Sequence, residues 1–236
     1  MTDTPKVAII TGASRGIGAG LVSAFREAGY AVVATALTIE PTEAPDFVTV
    51  SGDIAEPATA DHIITCALNR FGRIDTLVNN AGIFIGKPFT GYSLEDYAAM
   101  IAVNLTGFFH ITQCAIRQME RQRTGHVVNI STSLVDHARS DSPSALASLT
   151  KGGLEAVTRS LAIEYAAHNV RVNTVALGVI QTPMHGPDEY AELAGLHPLG
   201  RIGQIADVVD GILYLERATF VTGETLRIDG GRAAGD

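Results

Sequence analysis

The sequence predicts a single α/β domain spanning 1–236, built on a doubly wound, parallel, seven-stranded sheet. Three observations lead there. Seven short apolar runs, rich in β-branched residues, alternate with segments of helical periodicity. A glycine-rich turn, Thr11-Gly12-Ala13-Ser14-Arg15-Gly16-Ile17-Gly18, sits where the first run gives way to the first helix. No internal repeat, linker or low-complexity stretch divides the chain. Alternation at this rhythm calls for parallel pairing through right-handed crossovers, which place helices on both faces of the sheet.

Each element has its own signal. Val7–Ile10 reads as the first strand. The first helix follows, with Ile17, Leu21, Ala24 and Phe25 at three- and four-residue steps and Gly29 closing it. Strands at Tyr30–Thr35 and Phe47–Val50 flank a loop through Pro41 and Pro45. A helix runs from Pro57, suited to a first turn, to Phe71. Ile74–Val78 is the fourth strand, followed by helices at Leu94–Val103 and from Asn104 to about Gly125. Val127–Ile130 is the fifth strand, Ser144–His168 a long helix and Val170–Val175 the sixth strand. A Pro- and Gly-rich segment around 178–203 suits a mobile substrate lid. A helix at Ile205–Glu216 and a strand at Thr225–Ile228 complete the chain.

Composition narrows the function. The chain is 46% hydrophobic and 18% charged, enough for a large core. A net charge of -8 and the lack of any basic run argue against a nucleic-acid partner. The apolar runs are strand-sized, which predicts no membrane span, and the polar N-terminus lacks a signal-peptide core. Cys66 and Cys114 fall within helical apolar patterns, as expected of thiols in a reducing, cytoplasmic compartment. The seven histidines show no metal-ligand spacing, so no metal site is expected.

The glycine turn carries the first chemistry. A helix N-terminus offers unpaired N–H groups and the positive end of a dipole, suited to phosphate. Gly12 permits the turn, Gly16 lets a pyrophosphate approach the backbone, and Gly18 allows close helix–strand packing. Other polar groups follow the strand ends where a dinucleotide would lie. Asp53 suits an adenine amino group, or alternatively a simple turn. Asn79-Asn80-Ala81-Gly82 lets a flat ring come near, or is an ordinary Asn/Gly turn.

Together these pieces resemble the short-chain dehydrogenase/reductase family, in the bacterial branch that includes ketoacyl-carrier-protein reductases. The resemblance rests on Thr11–Gly18, Asp53, Asn79–Gly82, Asn104-Leu105-Thr106-Gly107, Asn129-Ile130-Ser131, Lys151 and Asp229-Gly230-Gly231, which occur in the family's order over nearly the whole chain. It implies a Rossmann fold with strand order 3-2-1-4-5-6-7 and a nicotinamide cofactor. The residues it implies for that cofactor are Gly12, Ser14, Arg15, Gly16, Ile17, Gly18, Thr35, Asp53, Ile54, Asn80, Ala81, Gly82, Lys151, Gly178, Ile180 and Thr182. A carboxylate after the second strand would favour NAD. Here the stretch is Thr35-Ala36-Leu37-Thr38, with Arg15 able to reach the same region, so NADP is expected over NAD.

Reduction of a carbonyl by hydride creates an alkoxide that must be protonated, so a general acid and hydrogen-bond donors are needed. By resemblance, Asn104, a hydroxyl at Thr132 or Ser133, and Lys151 form the catalytic set. The family places a tyrosine four residues before the lysine; here that position is Ala147, and no tyrosine lies between Tyr97 and Tyr165. Leu177 also stands where the family commonly has proline. Replacement donors are a water held by Lys151, or His185, Tyr190 or His197 from the lid. The expectation is an NADP(H)-dependent oxidoreductase acting on a small carbonyl or alcohol substrate with an unconventional proton donor. The rival is an NAD(P)-binding member without turnover, a sensor or partner subunit. Wide apolar faces on the helices near Asn104–Arg121 and Ser144–His168 suggest a homotetramer or homodimer.

Overall fold

The computed structural model describes residues 4–184 and 186–235. Its strands are β1 (Val7–Thr11), β2 (Ala31–Ala36), β3 (Glu43–Ala44), β4 (Phe47–Ser51), β5 (Thr76–Asn79), β6 (Gly125–Thr132), β7 (Val170–Leu177) and β8 (Thr225–Ile228). They form one sheet in the order β3-β4-β2-β1-β5-β6-β7-β8. Without β3 this is the expected order with parallel pairing throughout. The sheet thus has eight strands, not seven. β3 is a two-residue antiparallel partner of β4, too short to leave a periodic signal. It forms because the chain reverses after Pro45, and Thr49 accepts the Thr42 N–H through its hydroxyl at 2.7 Å.

Successive side chains in a strand point to opposite faces, so each core strand buries two sets. Ala8 and Ile10, with Val32, Ala34, Val128 and Val175, meet Leu21 and Phe25 of α1 (Gly16–Glu27) and Val208 and Ile212 of α7 (Ile205–Arg217). Ile9, Val33, Leu77, Val127 and Val172 meet Ile63 of α2 (Pro57–Phe71) and Ile111, Ala115 and Met119 of a second helix on the other face. That second helix is part of one continuous rod rather than the two helices expected. α3 (Leu94–Ile101) passes through a π-helical stretch, Ala102–Gly107, directly into α4 (Phe108–Gln122). The 29-residue rod is long and apolar enough to cross a membrane by length and composition, so strand-sized runs are not the whole inventory. Its apolar side, however, packs on the sheet and α2.

The amino ends of the strands close over a buried polar network. Asn173 accepts the Glu224 N–H through Oδ1 (3.1 Å), which aims its amide nitrogen at Val221 O and at His126 Nε2, both 3.1 Å away. His126 Nε2 is therefore an acceptor, and its Nδ1–H donates to Glu216 at 2.7 Å. Tyr30 and Thr76 also donate to Glu216 (2.9 and 3.0 Å). Burial alone would raise the Glu216 pKa, but these donors outweigh it and hold the carboxyl at about 2. The carboxyl ends of the strands are left for the site.

Candidate active site

The glycine turn lies over the carboxyl end of β1. Gly12 and Gly16 have φ of +65° and +57°, the left-handed region that glycine enters freely. A Cβ on Gly18 would stand 2.2 Å from Gly12 O, so only glycine allows the start of α1 to pack there. The turn is stitched to the end of β5. Asn80 donates its amide to Thr11 O (2.9 Å) and Gly12 O (3.1 Å), while Thr11 Oγ1 accepts the N–H groups of Asn80 (3.0 Å) and Ala81 (2.9 Å). The N-terminus of α1 has no side-chain cap and no acidic residue in its first turn. Its N–H groups are left open to an anion, with Ser14 and Arg15 exposed beside them.

Thr35, near the end of β2, has a buried hydroxyl with no hydrogen-bond partner among the described residues. Its carbonyl accepts the Ala13 N–H at 2.9 Å, which ties the end of β2 to the glycine turn beside the N-terminus of α1. Thr182 lies across the crevice, its Cβ 3.5 Å from where a Gly16 Cβ would be. Ile17 borders the same turn and is partly buried. Asp53 is exposed, and one oxygen accepts the Ala55 N–H at 2.9 Å, so it forms the turn considered as its alternative while the other oxygen stays available. Ile54 packs on Gly107, where a Cβ would be 2.7 Å from its Cγ2. These residues fit a nicotinamide dinucleotide.

The second half of the site converges on Gly82. A Cβ there would be 3.0 Å from Lys151 Nζ and 3.3 Å from Asn104 Oδ1. Lys151 lies on α5 (Ala145–Glu164), and its ammonium donates to Ile130 O at 2.8 Å. Burial without a neighbouring carboxylate pushes its pKa down to about 8. Asn104 is not a helix cap. It sits inside the π-helical stretch, where its side chain clamps the Ile83 peptide from both sides (2.9 and 3.0 Å) and reaches Thr150 Oγ1 at 3.2 Å. π-turns often mark functional positions in helices, because they re-aim one side chain without ending the rod.

Thr132 and Ser133 differ sharply. Thr132 is partly exposed, and its oxygen accepts the Leu134 N–H at 3.3 Å; the Ser133 hydroxyl is fully buried and has no partner among the described residues. Ala147 lies one turn before Lys151, 1% exposed. It is covered by Met100 and Leu146, with Ile83, Ile85 and Tyr92 packed around them. The space beside the Ala147 methyl is thus apolar and sealed.

The expected loop at 178–203 contains a short helix, α6 (Tyr190–Ala194). Its stems are tied together: Gly203 N–H donates to Val179 O (2.9 Å), Gln181 N–H to Gly203 O (2.8 Å), and Ile180 is buried between them. His197 is no proton donor in this arrangement. Its Nε2 accepts the Val179 N–H at 3.0 Å and its Nδ1–H donates to Leu193 O at 3.0 Å, which occupies both ring nitrogens. Gly178 makes room for this ring, since a Cβ there would lie 2.7 Å from Nε2. Tyr190 opens α6, partly buried, and His185 lies outside the described residues.

Sequence reasoning missed the polar ladder that holds these pieces in place. Asn79 donates to Thr112 and to Asn129 (both 2.9 Å), Asn129 to Thr158 (2.8 Å), and Thr158 meets Thr174 at 2.7 Å. Polar residues inside three otherwise apolar strands were the available signal. Ser131 donates to Glu155, a buried carboxyl whose pKa is raised by burial.

A model of the family described as enoyl-(acyl carrier protein) reductase matches residues 12–233. The 3-oxoacyl-[acyl-carrier-protein] reductase FabG of Thermotoga maritima is 34% identical over 243 residues, covering 96% of this chain and 97% of its own. FabG of Escherichia coli is 30% identical over 237 residues, covering 96% of each chain. Among solved structures, ElxO with NADP bound superposes with a TM-score of 0.91 at 28% identity, covering 98% of this chain and 100% of its own. The 3-ketoacyl-(acyl-carrier-protein) reductase from Brucella melitensis complexed with NADH gives 0.89 at 28% identity, covering 97% and 98%. The chain belongs to the short-chain dehydrogenase/reductase family of NAD(P)-dependent oxidoreductases, in its ketoacyl-reductase-like branch.

Proposed function

We propose that this chain transfers a hydride between NADP(H) and a small carbonyl or alcohol substrate, with a water held by Lys151 acting in place of the absent tyrosine. The observation that carries this reading is the Lys151 ammonium. It faces Gly82 and Asn104 at the carboxyl end of the sheet with one N–H on Ile130 O and no carboxylate partner among the described residues. Its other two N–H groups are free to hold a cofactor hydroxyl and a water. A pKa near 8 lets the ammonium feed a proton through that water near neutral pH. The bound dinucleotide would supply the hydride. Gly12, Ser14, Gly16, Ile17 and Gly18 would cradle its pyrophosphate, and Arg15 and Thr35 its adenosine ribose phosphate. Asp53 and Ile54 would hold the adenine, and Asn80, Ala81, Gly82, Gly178, Ile180 and Thr182 the nicotinamide half. Thr132 would donate to the substrate oxygen as negative charge builds on it.

The sealed apolar surroundings of Ala147 favour a second reading, a cofactor-binding protein without turnover. Fluorescence titration with NADPH and NADH, on wild type and Arg15→Ala, tests the cofactor. NADPH should bind more tightly, with the difference reduced in the variant; equal affinities would reject the Arg15 assignment. Assays over aldehydes, ketones and a 3-oxoacyl thioester then separate the readings, since tight NADPH binding with no turnover on any substrate favours the second. Phe109, Leu149 and Ile163 stand 56%, 56% and 79% exposed on α4 and α5 and support a homotetramer or homodimer. A monomer at micromolar concentration by light scattering would reject that.

A further inference from the structure

The His197 ring joins two parts of the chain that no other hydrogen bond among the described residues connects. One is α6, reached by Nδ1–H donating to Leu193 O at 3.0 Å. The other is the stem that leaves β7, reached by Nε2 accepting the Val179 N–H at 3.0 Å. The ring is 4% exposed, and two glycines leave it that place. A Cβ on Gly178 would lie 2.7 Å from Nε2, and one on Gly230 would lie 3.2 Å from the His197 Cβ. The backbone around the ring is held separately. His197 N–H donates to Ala194 O and Leu199 N–H to Gly230 O, both at 3.1 Å. The histidine is therefore fixed to α6 and to the turn after β8, and its Nε2 lone pair reaches across to the stem.

A lone pair that accepts a hydrogen bond cannot also hold a proton. Protonated at Nε2, the ring would set N–H against the Val179 N–H and bury a cation. The charged groups around it offer no relief. Asp229, in the turn after β8, already accepts the Gly231 and Ala233 N–H groups, and Arg232 beside it repels a second cation. Arg201 of the returning stem is paired with Asp207 of α7 (2.7 and 3.0 Å), and Arg227 of β8 with Asp136 (2.8 Å). Glu192, the acidic residue of α6, is exposed. Burial, and after it Arg232, holds the ring's pKa below its ordinary 6.5. A cavity of about 280 Å³ lies against the ring, lined by Val179, Ile180, His197 and Leu199 among others, so a displaced imidazolium has room to take up water.

We propose that His197 is a positioning residue that pins α6 to the Val179–Ile180 stem, and that a proton on Nε2 releases the pin. A released ring titrates near 6.5 and the docked ring below it. Docking is therefore complete above about pH 6.5 and weakens as the pH falls below that value. The pin rests on the hydrogen bonds alone. Its effect on ligands rests on the carbonyl-reduction reading, in which Ile180 and Thr182 of the same stem hold the nicotinamide half.

Two measurements on the full chain test the pin. In nitrogen-15 NMR of histidine rings at pH 7, His197 should show the Nδ1–H tautomer, its signals assigned by their loss in His197→Gln. Amide hydrogen exchange, corrected for its intrinsic pH dependence, is then followed between about pH 8 and 5. Wild-type peptides from 176–182 and 188–196 should lose protection below pH 6.5, by up to about tenfold per pH unit, while β1 and β5 stay constant. His197→Gln, which can still accept the Val179 N–H but takes no proton, should show no such loss. Bound NADPH should move the loss to lower pH, because a ligand that needs the docked stem opposes its release. The pin is overturned by an Nε2–H tautomer, by protection that stays constant down to pH 5, or by the same loss in His197→Gln. NADPH that binds without moving the loss would overturn the link between pin and cofactor. Failure of NADPH to bind would reject the carbonyl-reduction reading, and exchange without cofactor would still decide the pin.

Discussion

Replacing Lys151 with methionine should stabilise the cofactor-free protein at neutral pH, although the lysine lies at the centre of the site. The reason is its environment. Burial lowers its pKa from 10.5 to about 8 with no opposing carboxylate. A tenfold change in a proton-binding constant corresponds to about 1.4 kcal/mol, so below pH 8 the folded state carries a penalty on the order of 3 kcal/mol. The substitution also removes the 2.8 Å bond to Ile130 O, which contributes about 1 kcal/mol. The net gain at pH 7 is then about 2 kcal/mol, or roughly 4–8 °C in Tm for a chain of this size. The pH dependence has a definite sign. Between pH 8 and 10.5 the unfolded lysine still holds a proton that the folded one has released, so wild-type stability rises there and the advantage of Lys151→Met shrinks. Urea denaturation of both proteins at about pH 7, 9 and 10.5, without cofactor, reads this directly. A variant less stable than wild type at pH 7, or a difference that stays constant across that range, would refute the desolvated, unpaired lysine.

Ala147→Tyr should cost about 1–3 kcal/mol of stability, because its methyl is already enclosed by Met100, Leu146, Ile83, Ile85 and Tyr92. Carbonyl reduction should not rise in that single variant but should rise when Met100→Ala makes room, measured as kcat/KM with NADPH; an unchanged Tm would show that the pocket is open. Glu216→Leu should cost about 3–5 kcal/mol by leaving His126, Tyr30 and Thr76 without their acceptor. Because the folded carboxyl titrates near 2 and its ordinary value is 4.5, its contribution should be complete above pH 4.5. It should fade as pH falls through about 2, which urea denaturation of wild type beside Glu216→Gln would follow.

The sequence alone determined the order of the sheet, through runs whose periodicity is local and through a family likeness carried by short motifs. It also located the glycine turn, because φ values above zero and a close approach such as that of Gly18 to Gly12 O impose a residue type at one position. Lys151 and Asn104 were legible as residues but not as environments. The lysine's pKa is set by its burial without a carboxylate, and Asn104 reads as the start of a separate helix until the π-turn carries the rod through it. His197 looks free to carry a proton until the fold sets Val179 N–H against one nitrogen and Leu193 O against the other. The pairing of Glu43–Ala44, the seal around Ala147 and the burial of Arg232 likewise came only with the tertiary structure. Periodicity and steric demand act over a few residues and leave a mark in the sequence, whereas desolvation and hydrogen-bond partnership are set by groups brought together from distant parts of the chain.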